Sequence, residues 1–332
     1  MKALVLKGNH RAVELEEMPT PAAGPGEAVV RVEAAALNHR DLWIRKGQYA
    51  GLKYPIVPGS DGSGIVVESP DAVDWEGRKV IINPALEWGV SEAYQDPGSF
   101  RILGLPDNGT LAEFVKVPVV NLVEKPGHLT FEEAAALPLA GLTAYRALVK
   151  RAQVRAGEKV LITGIGGGVA LSTLQFAVAA GAEVVVTSGS GEKLDKAMAM
   201  GATGGVNYRE TEWVAGLKSL AGAFDVIIDG TAGDGLNDLF DLAMPGGRIV
   251  LYGATNGNPG QVVARRIFWK QLNVLGSTMG SPADFAEMME FVGRHRIRPV
   301  VDRVFPLRDG EQAFRWMEEA RQFGKIVVRT SS

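Results

Sequence analysis

A chain of 332 residues with 46% apolar content exceeds the roughly 250–300 residues at which a single core stops growing, so two domains are expected. A net charge of −3, with basic residues spread along the chain, leaves no electrostatic footprint for nucleic acid or an anionic membrane surface. The absence of cysteine excludes disulfides, thiolate nucleophiles and thiolate zinc sites. The charged opening MKALVLKGNHRAVELEEM has no apolar core of signal-peptide length, and no segment reaches roughly 18 apolar residues, so a cytoplasmic protein that does not span a membrane is expected.

From the start to about residue 123, the runs EAVVRVEAAAL, GIVVES, RKVIINP and TLAEFVKVP are apolar or alternating, and the turn segments AAGPGE, PGSDGSG and DNGT separate them. They predict a mainly antiparallel domain. The stretch from Pro84 to Gly109 is long for a loop in a compact domain, which suggests a functional or subunit-contact role. Thr130 with Glu133 fits a capping box, and Leu142 to Lys150 reads as a further helix. Six apolar runs then alternate with helical segments: KVLITG, AEVVVTS, GGVNY, FDVIIDG, GRIVLYG and LNVLGST. That alternation predicts a doubly wound parallel sheet. The tail returns to mixed character and is read as rejoining the first domain. The division is then 1–123 with 278–332, and 124–277 for nucleotide binding.

Between the first of those strands and its helix stand Gly164, Gly166, Gly167 and Gly168. Without side chains, the backbone there can approach a pyrophosphate at a helix N-terminus. A strict GxGxxG fails because Val169 takes the place of the last glycine, whereas Gly164-x-x-Gly167-x-x-Ala170 keeps a small residue for helix packing. The bland alternative is a glycine-rich bend with no ligand. An NAD site would place an acid near the end of the second strand. Here that point reads Ser188, Gly189, Ser190, with Lys193 in the next helix and Arg209 after VNY as candidate cations. Both cations could equally be solvated surface charges, but the missing acid favours NADPH. Met198 and Met200 read as core filling rather than a cofactor box.

Seven segments in order carry a resemblance: AAALNHRDLWIRKGQY, PIVPGSDGSGIVV, GTLAEFVKVP, ALPLAGLTAYRAL, the glycine turn, NYR and GGRIVLYG. Over essentially its full length the chain resembles the medium-chain dehydrogenase/reductase superfamily, and within it the quinone-oxidoreductase-like and YogA-like members with absent or degenerate zinc sites. The resemblance implies an α/β architecture, a doubly wound Rossmann domain plus a discontinuous, mainly antiparallel GroES-like catalytic domain. It sets the zinc-ligand positions of other members at Asn38, Ser60 and about Leu139, none a good ligand, with Asp61 where an acid often adjoins the metal histidine. No metal is therefore expected. Asn38 resembles an asparagine beside the nicotinamide, Thr143 is expected close to the same ring, and Arg40 matches a residue at the substrate entrance. Asp41 is read as a structural acid. His39 stays open among a cofactor contact, a proton shuttle and a satisfied interior histidine. Tyr208 matches a position near the nucleotide ribose. Gly253, Ala254 and Thr255 fall at the crevice above the fifth sheet strand, with Met279 and Gly280 beside it. Gly324 and Lys325 resemble a segment that closes over the adenosine phosphate.

Hydride delivery to a ketone creates an alkoxide that needs zinc or a firm acid, and the sequence shows neither. A quinone or enone disperses the charge by conjugation. The expected function is thus NADPH-dependent reduction of quinones or conjugated enones without zinc. Asn38, His39, Arg40 and Thr143 stand in the catalytic set; Asn38 and Thr143 also touch the cofactor. The alternatives are an alcohol dehydrogenase or ketone reductase acting on carbonyl substrates, and a non-catalytic NADPH-binding or sensing protein. A homodimer through the last sheet strand is expected, with pairing into a tetramer left open.

Overall fold

The fold is given by a computed structural model, described over residues 1–330. It divides into two compact units, Met1–Leu142 with the segment from Gly280 onward, and Thr143–Met279. The first crossing between units lies at Leu142/Thr143 rather than at 123/124. The reason is that the helix Phe131–Ala135 packs against the strands Glu27–Ala36 and Asp61–Glu68 of the first unit. Its start carries the expected reciprocal cap: Glu133 N donates to Thr130 Oγ1 at 3.2 Å, and Thr130 N donates to Glu133 Oε2 at 2.8 Å.

In the first unit, one sheet runs in the order Val301–Pro306, Lys325–Arg329, Glu27–Ala36, Asp61–Glu68, Lys79–Ile82, Leu122–Glu124, with Phe114–Pro118 also paired to Glu27–Ala36. Only the first pair is parallel; the others are antiparallel. Leu4, Val30, Ile82, Leu111 and Phe314 are among the side chains of its core, and each such burial contributes about 1.5–3 kcal/mol. One register detail sets up the site. Ala36 stands opposite both Asp61 and Val327, so the ends of three strands lie side by side and bring residues 38, 61 and 325 together.

The second unit is a parallel six-stranded sheet: β1 (Lys159–Ile162), β2 (Glu183–Ser188), β3 (Gly204–Asn207), β4 (Phe224–Asp229), β5 (Ala243–Leu251) and β6 (Asn273–Gly276). The spatial order is 3-2-1-4-5-6, the doubly wound arrangement expected from the alternating runs. The strands read as near-continuous apolar runs because helices cover such sheets on both faces. Leu161, Phe224, Ile227, Phe240 and Ile249 belong to one buried cluster of this unit. The helix α1 (Gly168–Ala179) follows β1, and α2 (Gly191–Ala199) follows β2. On α2 the buried face is Leu194 and Ala197; Met198 is 44% exposed and Met200, just past the helix, is only half-buried, which corrects the reading of this pair as core. The predicted helix near residues 142–150 begins earlier, as Pro138–Tyr145, and continues as a π-helical stretch over Arg146–Arg151. No described helix is long and apolar enough to cross a membrane.

Candidate active site

The glycine turn after β1 has the backbone that its residues permit. Gly164 and Gly166 adopt φ of 65° and 131°, in the region open mainly to glycine. Gly164 N donates to Thr187 Oγ1 at 3.1 Å and Ile165 N to Thr187 O at 2.7 Å, which fastens the turn to β2. Gly167 caps α1, Gly168 is its first residue, and Val169 O accepts from Thr173 Oγ1. A Cβ added at Gly167 would meet nothing within 4 Å, whereas one at Gly166 would lie 3.0 Å from the Lys193 side chain. The turn thus offers an open face of backbone at a helix N-terminus, with a lysine folded over its edge, and this fits a dinucleotide diphosphate.

At the end of β2 the side chains of Tyr208 and Arg209 close over Gly189: a Cβ there would stand 2.9 Å from Tyr208 Oη and 2.8 Å from Arg209 Nε. Ser188 is buried, and its Oγ accepts from Ser190 N at 3.3 Å. Ser188, Ser190, Tyr208 and Arg209 therefore gather about Gly189, while Lys193 lies beside Gly166 of the glycine turn. Gly253, Ala254 and Thr255 lie beyond β5, where Thr255 N donates to Gly230 O at 3.2 Å. Thr143 is buried at 6% exposure.

The polar site of the first unit is an assembly that no local sequence pattern signals. Lys325 Nζ donates to Asp61 Oδ2 at 2.9 Å and to Asn38 Oδ1, and Asn38 Nδ2 donates to Asp61 Oδ2 at 2.9 Å. The other carboxylate oxygen accepts from Leu139 N at 2.8 Å. Asp61 is fully buried, while Asn38 and Lys325 keep 8% and 5% exposure. The adenosine-phosphate placement of Lys325 thus gives way to an ammonium engaged by Asp61 and Asn38. Its strand pairs with Glu27–Ala36, and Leu37 N donates to Ile326 O at 2.9 Å, so residue 325 is carried beside residue 38.

Arg40 is buried as well, and its guanidinium is committed to protein partners. It donates to Ser60 Oγ at 2.6 Å and to Leu103 O at 2.8 Å, and stacks over Tyr49 at 4.9 Å. Part of the long Pro84–Gly109 loop is therefore tied down by Arg40. Asp41 is the structural acid expected: it accepts from Asn38 N at 2.8 Å and Gly59 N at 3.2 Å, and its burial pushes its carboxyl above the usual range. His39 is exposed as a residue, yet the protein around it desolvates the imidazole, and Lys325 and Lys46 add repulsion. Its pKa is lowered, which favours a neutral ring.

The doubly wound sheet, the glycine turn and the antiparallel unit define the class, a dinucleotide-dependent oxidoreductase with a separate catalytic unit. Family models agree: residues 24–127 match the alcohol dehydrogenase GroES-like domain, and residues 168–294 the zinc-binding dehydrogenase domain. The chain is 38% identical to the zinc-type alcohol dehydrogenase-like protein YogA of Leptosphaeria maculans, over 95% of this chain and 94% of that protein. Among solved structures, an NAD-dependent alcohol dehydrogenase superposes with a TM-score of 0.92 at 39% identity, covering 100% of both chains. The quinone oxidoreductase of Thermus thermophilus, solved also with NADPH, gives 0.82 at 34% identity, covering 99% of this chain and 100% of that one. The chain belongs to the medium-chain dehydrogenase/reductase superfamily, in its YogA-like branch. It is an oxidoreductase of the alcohol dehydrogenase and quinone oxidoreductase type.

The zinc named in one family description does not fit the donors present. Asn38 has both ends of its amide engaged, Ser60 accepts from Arg40, and Leu139 contributes a backbone N–H. The one carboxylate, Asp61, already faces an ammonium. Among the described residues no group of three or more His, Asp or Glu side chains could hold a metal ion. Zinc needs three or four anionic or imidazole ligands, and these positions supply amides, a hydroxyl and a cation instead.

Proposed function

We propose that the protein is an NADPH-dependent reductase of conjugated carbonyl compounds, quinones or enones, working without zinc. The observation that carries the reading is the Lys325 ammonium seated on Asp61 and Asn38, where the resemblance sets a metal in other members. A second cation beside it would face repulsion rather than ligands. Bound reduced nicotinamide supplies the hydride. The chain's part is to hold the acceptor, exclude water and leave charge where conjugation spreads it. Asn38 and Thr143 orient the reacting partners, and His39, neutral and exposed, serves as a hydrogen-bond acceptor rather than a proton source.

NADPH rather than NADH is supported by Lys193 beside Gly166 and Arg209 beside Gly189, with Ser188 and Ser190 standing where an acid would repel a 2′-phosphate. One similar structure is of an NAD-dependent enzyme, so the local charge carries the choice. A homodimer is the proposed assembly. The β6 edge brings Val274, 38% exposed, near the end of a helix whose Phe268 and Trp269 are 66% and 80% exposed.

The test follows cofactor oxidation after dialysis against a chelator, with NADPH and NADH offered against quinones, enones, aldehydes and ketones. Turnover of conjugated acceptors, faster with NADPH and unchanged by zinc, is expected. Activity confined to simple alcohols and ketones, and only with zinc restored, would sink the reading.

A further inference from the structure

Lys325 is more than a counter-ion to Asp61. An ammonium has three donors, and two of them are placed, one on Asp61 Oδ2 and one on Asn38 Oδ1. Asn38 is locked in one amide orientation, because a flip would set its NH₂ against the ammonium. Its Nδ2 spends one hydrogen on Asp61 and has a second to give. Asp61 is fully buried, whereas Asn38 and Lys325 retain 8% and 5% exposure, so what solvent contact the cluster has lies with its two donor residues. Next along the chain from Asn38 stands the exposed His39.

We propose that Lys325 and Asn38 form a two-donor seat for the carbonyl oxygen of the acceptor, with Lys325 as the fixed cation that stabilises the oxyanion formed during reduction. The proposal deepens the reductase reading and rests on it for the identity of the acceptor. Hydride adding to the β-carbon of an enone breaks the carbon–carbon π bond and drives that electron pair onto the carbonyl oxygen. The enolate oxygen accepts from Lys325 Nζ and Asn38 Nδ2, and Lys325 keeps its proton. A proton from water then adds at the α-carbon, leaving a saturated carbonyl compound and oxidised nicotinamide. In a quinone the same donors meet the phenolate oxygen. Preorganised donors of this kind act because they need no rearrangement as the charge develops. Asp61, by orienting both of them, is a positioning residue.

The test uses 4-nitrophenol as a coloured oxyanion mimic on full-length protein freed of metal by a chelator. Bound nitrophenol is expected to ionise at a lower pH than free nitrophenol. In Lys325→Met, phenolate binding should weaken by about tenfold or more, and kcat on conjugated carbonyls should fall with it, while KM and NADPH binding stay close to wild type. Lys325→Arg should restore part of the phenolate affinity. Because Lys325→Met strands a buried carboxylate, the double variant Lys325→Met/Asp61→Asn provides a neutral pair whose folding is checked by thermal unfolding. A folded double variant that binds phenolate as wild type does would overturn the proposal. So would wild-type protein on which bound nitrophenol titrates as it does in water, whatever the variants do. Lys325-dependent phenolate binding without turnover of any conjugated carbonyl would sustain the seat and remove the reductase reading. Turnover with Lys325-independent phenolate binding would do the reverse.

Discussion

Two polar features, one in each unit, are built by opposite rules. The nucleotide turn is local: a strand, four glycines and a helix within one stretch, with Thr187 of the adjacent β2 locking it at 3.1 Å. The Lys325–Asp61–Asn38 cluster is non-local, drawn from three strand ends far apart in the chain and joined only by sheet register at Ala36. The first works through absent side chains and the second through buried charge. Loss of a local feature should therefore weaken cofactor binding and leave the fold intact. Loss of one partner in the buried cluster should cost stability, because the other charge is left uncompensated.

The largest break of that contrast comes from Asp61→Ala. The carboxylate takes the Lys325 ammonium, the Asn38 amide and Leu139 N, so its removal strands a buried cation and two donors. A loss of about 3–5 kcal/mol in denaturant unfolding is expected; a variant as stable as wild type would show that the cluster is not held as described. On the nucleotide side, Lys193→Ala and Arg209→Ala should each lower NADPH affinity about tenfold, the scale of one charge-assisted hydrogen bond, with little change for NADH and in folding. Equal losses for both cofactors, read by fluorescence titration, would place these cations on the shared diphosphate rather than on a 2′-phosphate. Gly166→Ala ranks next. It needs φ of 131° and meets Lys193 at 3.0 Å, so about 1–3 kcal/mol of strain should appear chiefly as weaker cofactor binding.

The same contrast explains what could be read from the chain alone. The six parallel strands and the antiparallel unit were legible because β-periods, turn residues and the Thr130 cap act over a few residues. Asp41 as a backbone-binding acid was legible for the same reason, three positions from the Asn38 N–H that it accepts. Lys325 was not. In FGKIVV it is a lysine at the start of an apolar strand, a pattern that usually marks a charge left in water, and only the pairing of Val327 with Ala36 brings it beside Asn38. The resemblance sets Arg40 at a substrate entrance, but its fork is occupied by Ser60 and the Leu103 carbonyl of a loop whose path no local pattern sets. Met198 failed differently: it stands one position past the buried Ala197, and that step of about 100° around the axis carries its side chain to the rim of the buried face, a rotation that a short polar helix does not fix strongly.

The smallest effect tests whether the buried cluster is felt at the surface. Desolvation lowers the His39 pKa first, and Lys325 and Lys46 lower it further, from the ordinary 6.5. The folded protein thus takes up the His39 proton later than the unfolded chain does as pH falls. Between 6.5 and the lower folded value the unfolded state holds more protons, so stability declines as pH drops through that window and is full above it. His39→Gln should remove that part of the acid sensitivity, by a small margin because the residue is exposed. The sharper measurement is an NMR titration of the imidazole in Lys325→Met. Deleting one of the charges that repels the imidazolium should move the His39 pKa upward, toward its ordinary value. A titration unchanged by Lys325→Met would mean that solvent screens the ammonium from the surface, and that an acceptor oxygen could feel it only by direct hydrogen bonding.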